Sequence, residues 1–176
     1  RWYAALAMFY LMIGGTWMCH YAGGGLIRRV KVKGCSVARL FALQSLPGLL
    51  ICALGFVPVL LFELPDKVFP VMPAFLIYAI GASGMALTVC VMAGELSNLV
   101  FLAPVVTMAA SLASGLLYRL PDWAKVWDYV SMIFPGHWFD RAVGGEQFLV
   151  GGLIVSAVWV AIGILIAQAF GRRKHE

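Results

Sequence analysis

Long uncharged stretches alternate along this chain with short clusters of charge. Uncharged runs cover residues 2–27, 40–62, 68–94, 96–118 and 147–171, with lengths of 26, 23, 27, 23 and 25 residues. Each run is continuously apolar, so the pattern predicts helices and excludes the alternating repeat of barrel strands. A helix needs roughly 20 apolar residues to cross a bilayer, and within lipid only helices or closed barrels satisfy their own backbone. The expectation is an all-α, polytopic membrane helix bundle in one transmembrane domain. Its five spans are set at 2–24, 40–62, 68–93, 97–118 and 147–170, with no internal repeat.

Two intervening segments are not spans. Three glycines, 23–25, stop the first span, and residues 25–39, GLIRRVKVKGCSVAR, then interleave bases with apolar residues, as a stretch lying on a membrane surface or against a partner would. Residues 119–146, RLPDWAKVWDYVSMIFPGHWFDRAVGGE, are aromatic and amphipathic. Their uncharged part, 129–139, is too short to span. Asp122 after Pro121 marks a helix start, and Pro135-Gly136 divides the segment into two short helices. Tryptophan and tyrosine favour the headgroup level, so the segment reads as a pair of re-entrant half-helices on the outer side.

Inside the runs, Pro47, Pro58 and Pro104 interrupt the helical ladder, which membrane bundles tolerate when neighbours re-satisfy the backbone. Small residues recur at about four-residue steps: Gly81 and Gly84, Ser111 and Gly115, and Gly163, Ala167 and Gly171. Such steps permit close helix approach, expected here as packing within the bundle rather than as a dimer seam.

Composition sharpens the class. With 62% apolar and 12% charged residues, against about 45–50% and 25% in ordinary soluble domains, the chain is neither disordered nor an ordinary soluble domain. Its mean hydropathy is +0.92. The net charge of +5 matters less than where the charges stand. Arg28, Arg29, Lys31, Lys33 and Arg39 follow the first run with no acid among them, and Arg172, Arg173 and Lys174 close the chain. The 63–67 connection has one base and two acids, and 119–146 has three bases and four acids. Positive loops stay in the cytoplasm, so the basic segment and the C-terminus are assigned there and 119–146 outside. A signal peptide is disfavoured, because one arginine precedes the first run and four bases follow it. The chain starts at Arg1 rather than Met, which leads to the expectation of a missing upstream span.

Candidate chemistry is sparse. Cys19, Cys35, Cys52 and Cys90 form no C-x-x-C pair, and no metal-ligand spacing occurs. No Gly-Lys pair exists, so the chain has no P-loop of its own. Asp122, Asp128, His137, Asp140 and Glu146 could do acid–base work on a lipid headgroup. The plainer reading is a solvated loop in which Asp140 pairs locally with Arg141. Glu95, between Gly94 and Ser97-Asn98, reads as part of a cytoplasmic turn rather than an ion pathway.

Residues Ser114 to Val143 carry a resemblance. Ser114-Gly115 closing a helix, then Pro121, Trp123, Pro135, Trp138 and Arg141 ahead of a last span, resemble the membrane subunit of type-2 ABC transporters, the bacterial exporter class. The basic 25–39 stretch resembles that family's cytoplasmic coupling helix, although it lacks the acids and the Gly-Thr pair often found there. The resemblance implies an ABC exporter permease in the bacterial inner membrane, spans two to six of a six-span unit. Its partners would be an ABC ATP-binding subunit, a second permease copy or paralogue, and the lipid bilayer, without nucleic acid. ATP and Mg would be used by the ATPase subunit, with no cofactor on this chain and no catalytic site. Coupling would fall to Arg28, Arg29, Lys31, Lys33 and Arg39, with Glu95 as a second contact, and an outer gate to Trp123, Trp127, Pro135, His137 and Trp138. The alternatives are a membrane-embedded lipid-modifying enzyme and a non-catalytic assembly subunit.

Overall fold

The computed structural model describes residues 1–14, 37–63, 65–93, 95–118 and 125–173, with the backbone alone at 37, 70, 96, 125, 126 and 170–173. The expected sites Arg28, Arg29, Lys31, Lys33, Asp122 and Trp123 lie outside these residues. All regular structure among the described residues is helical: α1 (Trp2–Gly14), α2 (Val37–Glu63), a 3-10 turn (Pro65–Lys67), α3 (Val68–Ala93), α4 (Leu96–Ala113), α5 (Lys125–Ser131), α6 (Pro135–Gly144) and α7 (Leu149–Arg173).

Three of these helices are long and apolar enough to cross a membrane, over Ala38–Glu63, Val71–Ala93 and Leu149–Ala169. Trp2–Gly14 and Ser97–Ala113 are apolar but shorter. The helix expected over 97–118 stops at Ala113, although Leu116, Leu117 and Tyr118 prolong the apolar run. Its end is set by Gly115 at φ +78°, a left-handed conformation that glycine adopts without strain. The Gly115 N–H donates to the Leu112 carbonyl at 3.1 Å and the Leu116 N–H to that of Ser111 at 3.0 Å, the paired bonds of a Schellman cap.

Helix α3 is the centre of the bundle, in contact with α1, α2, α4, α6 and α7. Its membrane-length window is 72% buried, against 17% for α2 and for α7. Apolar composition alone does not separate these three helices. What distinguishes α3 is its place among five neighbouring helices, and small residues on both α3 and α7 bring those two to backbone distance. A Cβ on Gly84 would lie 2.6 Å from the Val160 nitrogen, and one on Gly163 would lie 2.8 Å from the Gly84 carbonyl oxygen. Ser156 adds a hydrogen bond from its hydroxyl to the Ile77 carbonyl, 2.8 Å. The Gly84 and Gly163 steps therefore serve packing of α3 against α7 within one chain, as lipid-embedded helices require where no hydrophobic force draws them together.

One end of the bundle is closed by stacked rings. Phe56 and Phe75 lie 4.0 Å apart between centroids, and Phe139 of α6 meets Phe56, Phe75 and Tyr78 at 5.9, 5.9 and 5.5 Å. The buried Tyr78 hydroxyl donates to the Ala4 carbonyl at 2.7 Å, tying α3 to α1. Lys67 donates to the Val143 carbonyl at 3.2 Å, which puts the start of α3 beside the end of α6.

Candidate functional site

The 119–146 segment provides the most unusual geometry. Its two short helices are α5 and α6, and the break falls at Met132–Phe134, just ahead of Pro135. Proline suits the first turn of a helix because its missing N–H has no partner there in any case. Helix α6 ends in a second Schellman cap: Gly145 at φ +85° donates to the Ala142 carbonyl at 3.0 Å, and the Glu146 N–H to that of Arg141 at 2.9 Å.

The break reaches deep along α3. A Cβ on Gly81 would lie 2.9 Å from the Pro135 Cβ, and Gly81 stands 13 residues after Val68. At 1.5 Å per residue, that is about 20 Å along α3. Helix α6 thus runs from the middle of α3 back to its start. On its other side, a Cβ on Gly136 would lie 2.6 Å from the Ser114 Oγ at the end of α4. The glycine lets α6 enter between α3 and α4.

A broken helix in apolar surroundings must find partners for its freed carbonyls. Here five of them have partners. The Val130, Ser131 and Phe134 carbonyls accept from the N–H groups of Ile133, Phe134 and His137 at 3.2, 3.0 and 3.2 Å. The Met132 carbonyl accepts from the Trp138 indole at 3.0 Å, and the Ile133 carbonyl from the Trp159 indole of α7 at 2.8 Å. Sequence reasoning missed Trp159, because a tryptophan within an apolar span reads as an interfacial residue.

His137 Nδ1 lies 2.8 Å from the Ser131 Oγ, which also lies 2.7 Å from the Asp128 carbonyl. The serine has one proton. If it goes to the carbonyl, which can only accept, the histidine must carry its proton on Nδ1. Nε2 is then a bare acceptor, and it is buried without a hydrogen-bond partner among the described residues.

The acids are dispersed. Asp140, buried on α6, pairs with Arg1 at 2.6 Å, while Arg141 pairs with Glu146 at 2.9 Å and stands over the Trp138 ring at 5.7 Å. The expected local pairing of Asp140 with Arg141 is thus replaced by two others. Successive helical residues point about 100° apart and do not face each other.

Among the expected gate residues, the structure brings Pro135, His137 and Trp138 into this deep turn, with Pro135 buried. Trp127 is largely exposed on α5. At the opposite end of the bundle, Arg39 is exposed near the start of α2. Glu95 is exposed ahead of α4, in a turn where its N–H and the Asn98 amide both donate to the Ala93 carbonyl at 2.7 and 3.2 Å. Cys52 and Cys90 are buried, their thiols directed at the Ala7 and Met12 carbonyls of α1. Among the described residues, no group of three His, Cys, Asp or Glu is arranged to hold a metal ion. No protein-family model, curated protein or solved structure matches the chain.

Proposed function

We propose that this chain is the membrane permease subunit of a type-2 ABC exporter, moving a substrate outward when a separate ATPase subunit hydrolyses ATP. The observation that carries the reading is the broken pair α5–α6, inserted to mid-α3 depth ahead of the last long helix and opposite the end where α1 and α2 are joined. A half-spanning element in a membrane protein needs its freed carbonyls closed by protein donors, as the two indoles close those of Met132 and Ile133 here.

In this reading five helices cross the bacterial inner membrane, α5–α6 is a re-entrant element on the outer side, and the C-terminus is cytoplasmic. Trp123, Trp127, Pro135, His137 and Trp138 form the outer gate. Arg28, Arg29, Lys31, Lys33 and Arg39, with Glu95, take the push from the ATPase, which binds ATP and Mg. A second permease copy or paralogue completes the pathway. Substrate-linked movement needs only that ATP-bound and ATP-free partners differ in affinity for two permease states.

The test is co-expression with the ATP-binding protein encoded beside it, followed by purification in lipid nanodiscs. A stable complex with permease-dependent ATP hydrolysis is expected, and alanine at the 28–33 bases should uncouple it. A folded permease that forms no complex would overturn the reading. The Ser131–His137 contact is the one observation favouring a headgroup-acting enzyme instead. Lipid turnover without an ATPase, lost in Ser131→Ala and His137→Ala, would establish that alternative. Partner binding without turnover would indicate an assembly subunit.

A further inference from the structure

A groove of about 260 Å³ lies between α1 and α2 with α3 as its floor, on the half of the bundle away from α6. Leu11, Phe41, Gly48 and Leu87 make it apolar, and Tyr10 and Gln44 give it a polar edge. Pro47 deepens that edge, since a proline leaves the carbonyl four residues earlier, that of Leu43, without its helical N–H partner. Gln44 is half-buried, and its carboxamide has no hydrogen-bond partner among the described residues. A polar amide facing lipid without a partner is unfavourable, so the groove suits a ligand that is apolar for most of its length and carries hydrogen-bonding oxygens at one end.

Depth and charge narrow the ligand further. Gln44 stands seven residues after Val37, about 10 Å along the helix. That places it between the helix end and the bilayer centre, within side-chain reach of glycerol ester oxygens. The groove residues themselves carry no charge. Arg39 is exposed two residues before Phe41, and in the sequence four bases and no acid stand between α1 and α2.

We propose that this groove binds an anionic glycerophospholipid, its acyl chain against Leu11 and Leu87, its ester oxygens at Gln44 and Tyr10, and its phosphate toward Arg39. The proposal needs the chain to span a membrane but not the exporter reading, so each can fail without the other.

The experiment uses the purified chain in nanodiscs of equal parts phosphatidylcholine and phosphatidylglycerol. Photoactivatable probes of each lipid carry the same diazirine acyl chain, and adducts are mapped by mass spectrometry. Adducts should gather on Tyr10–Leu11 and Phe41–Ile51. The phosphatidylglycerol probe should label about fivefold more than the phosphatidylcholine probe, the factor one base near an anionic lipid supplies. Gly48→Phe should abolish the labelling, since even a Cβ there would lie 3.3 Å from Leu11 Cδ2. Should that variant not fold, Gln44→Leu, at a half-buried position, should still reduce it. Equal labelling by both probes, labelling spread evenly to Leu61, no labelling, or labelling unchanged in Gln44→Leu would overturn the proposal.

Discussion

Helix α3 meets two neighbours in different ways, although the Ser156–Ile77 hydrogen bond also joins it to α7. Against α7 it relies on close approach, with Gly84 and Gly163 bringing the two backbones within reach of one missing Cβ. Against α6 it offers one such step, Gly81 under Pro135, while the α5–α6 turn itself is fixed by directional bonds from the Trp138 and Trp159 indoles. An unbroken helix satisfies its own backbone and needs only packing to find its place in lipid. A broken helix carries unsatisfied carbonyls and needs donors wherever it lies. The first contact should fail through bulk, the second through loss of a single proton donor.

The largest effect is expected at the α3–α7 seam. Gly84→Leu forces a side chain onto the Val160 backbone, which cannot swing aside, and should cost about 3 kcal/mol or more. Little monodisperse protein should survive purification. Gly144→Ala is the matched control: nothing lies within 4 Å of its Cβ, and its φ is not left-handed. Its unfolding free energy should stay within about 0.5 kcal/mol of the parent's. A Gly84→Leu chain as stable as the control would remove close approach as the basis of the seam.

Next comes the turn. Trp159→Phe keeps an aromatic ring but leaves the Ile133 carbonyl unpaired, a loss of about 1–3 kcal/mol. Amide exchange should quicken at 133–138 while α3 stays protected. Trp138→Phe should do the same through Met132, and the double variant should exceed the sum, because both indoles hold one turn. Uniformly faster exchange across the bundle would mean that the indoles support global stability rather than the turn.

The sequence displays these features unequally, for physical reasons. The break at Pro135 is legible because proline at the start of a helix has a local cause. The end of α4 is misread by hydropathy, which sees Leu116 and Leu117 but not the positive φ of Gly115. The depth of α6 is not legible at all, because it depends on a contact between Pro135 and Gly81, far apart in the chain. The partner of Asp140 is hidden for the same reason: adjacency suggested Arg141, but the helix turns the two side chains apart and Arg1 reaches in from the start of α1. The candidate groove shows in the sequence only as Gln44 and Pro47, two departures from an otherwise apolar run.

A third test concerns how much charge contributes where α6 meets α1. Asp140→Asn removes the carboxylate charge but keeps the shape. With Arg1 41% exposed and Asp140 11% exposed at their side chains, the change should cost about 1 kcal/mol, well below the loss expected for a fully buried pair. The effect should appear as loosening of α1 against α6, read by exchange at Tyr3–Met8. A loss as large as that of Gly84→Leu would mean that electrostatics, not packing, holds α1 in place.

The smallest effect separates two roles of Arg141. Its guanidinium pairs with Glu146 and also stands over the Trp138 ring. Glu146→Gln removes only the ion pair, whose partners are 38% and 57% exposed, so the cost should be about 0.3 kcal/mol and vanish in high salt. Arg141→Gln removes the ring contact as well and should cost about 0.5–1 kcal/mol more, with little salt dependence. Both variants keep the backbone bonds of the cap, since these involve only N–H and carbonyl groups of 141–146. The difference between them therefore isolates what the ring contact adds to holding Trp138 at the Met132 carbonyl. Equal losses in the two variants would show that the indole is oriented by its own hydrogen bond alone.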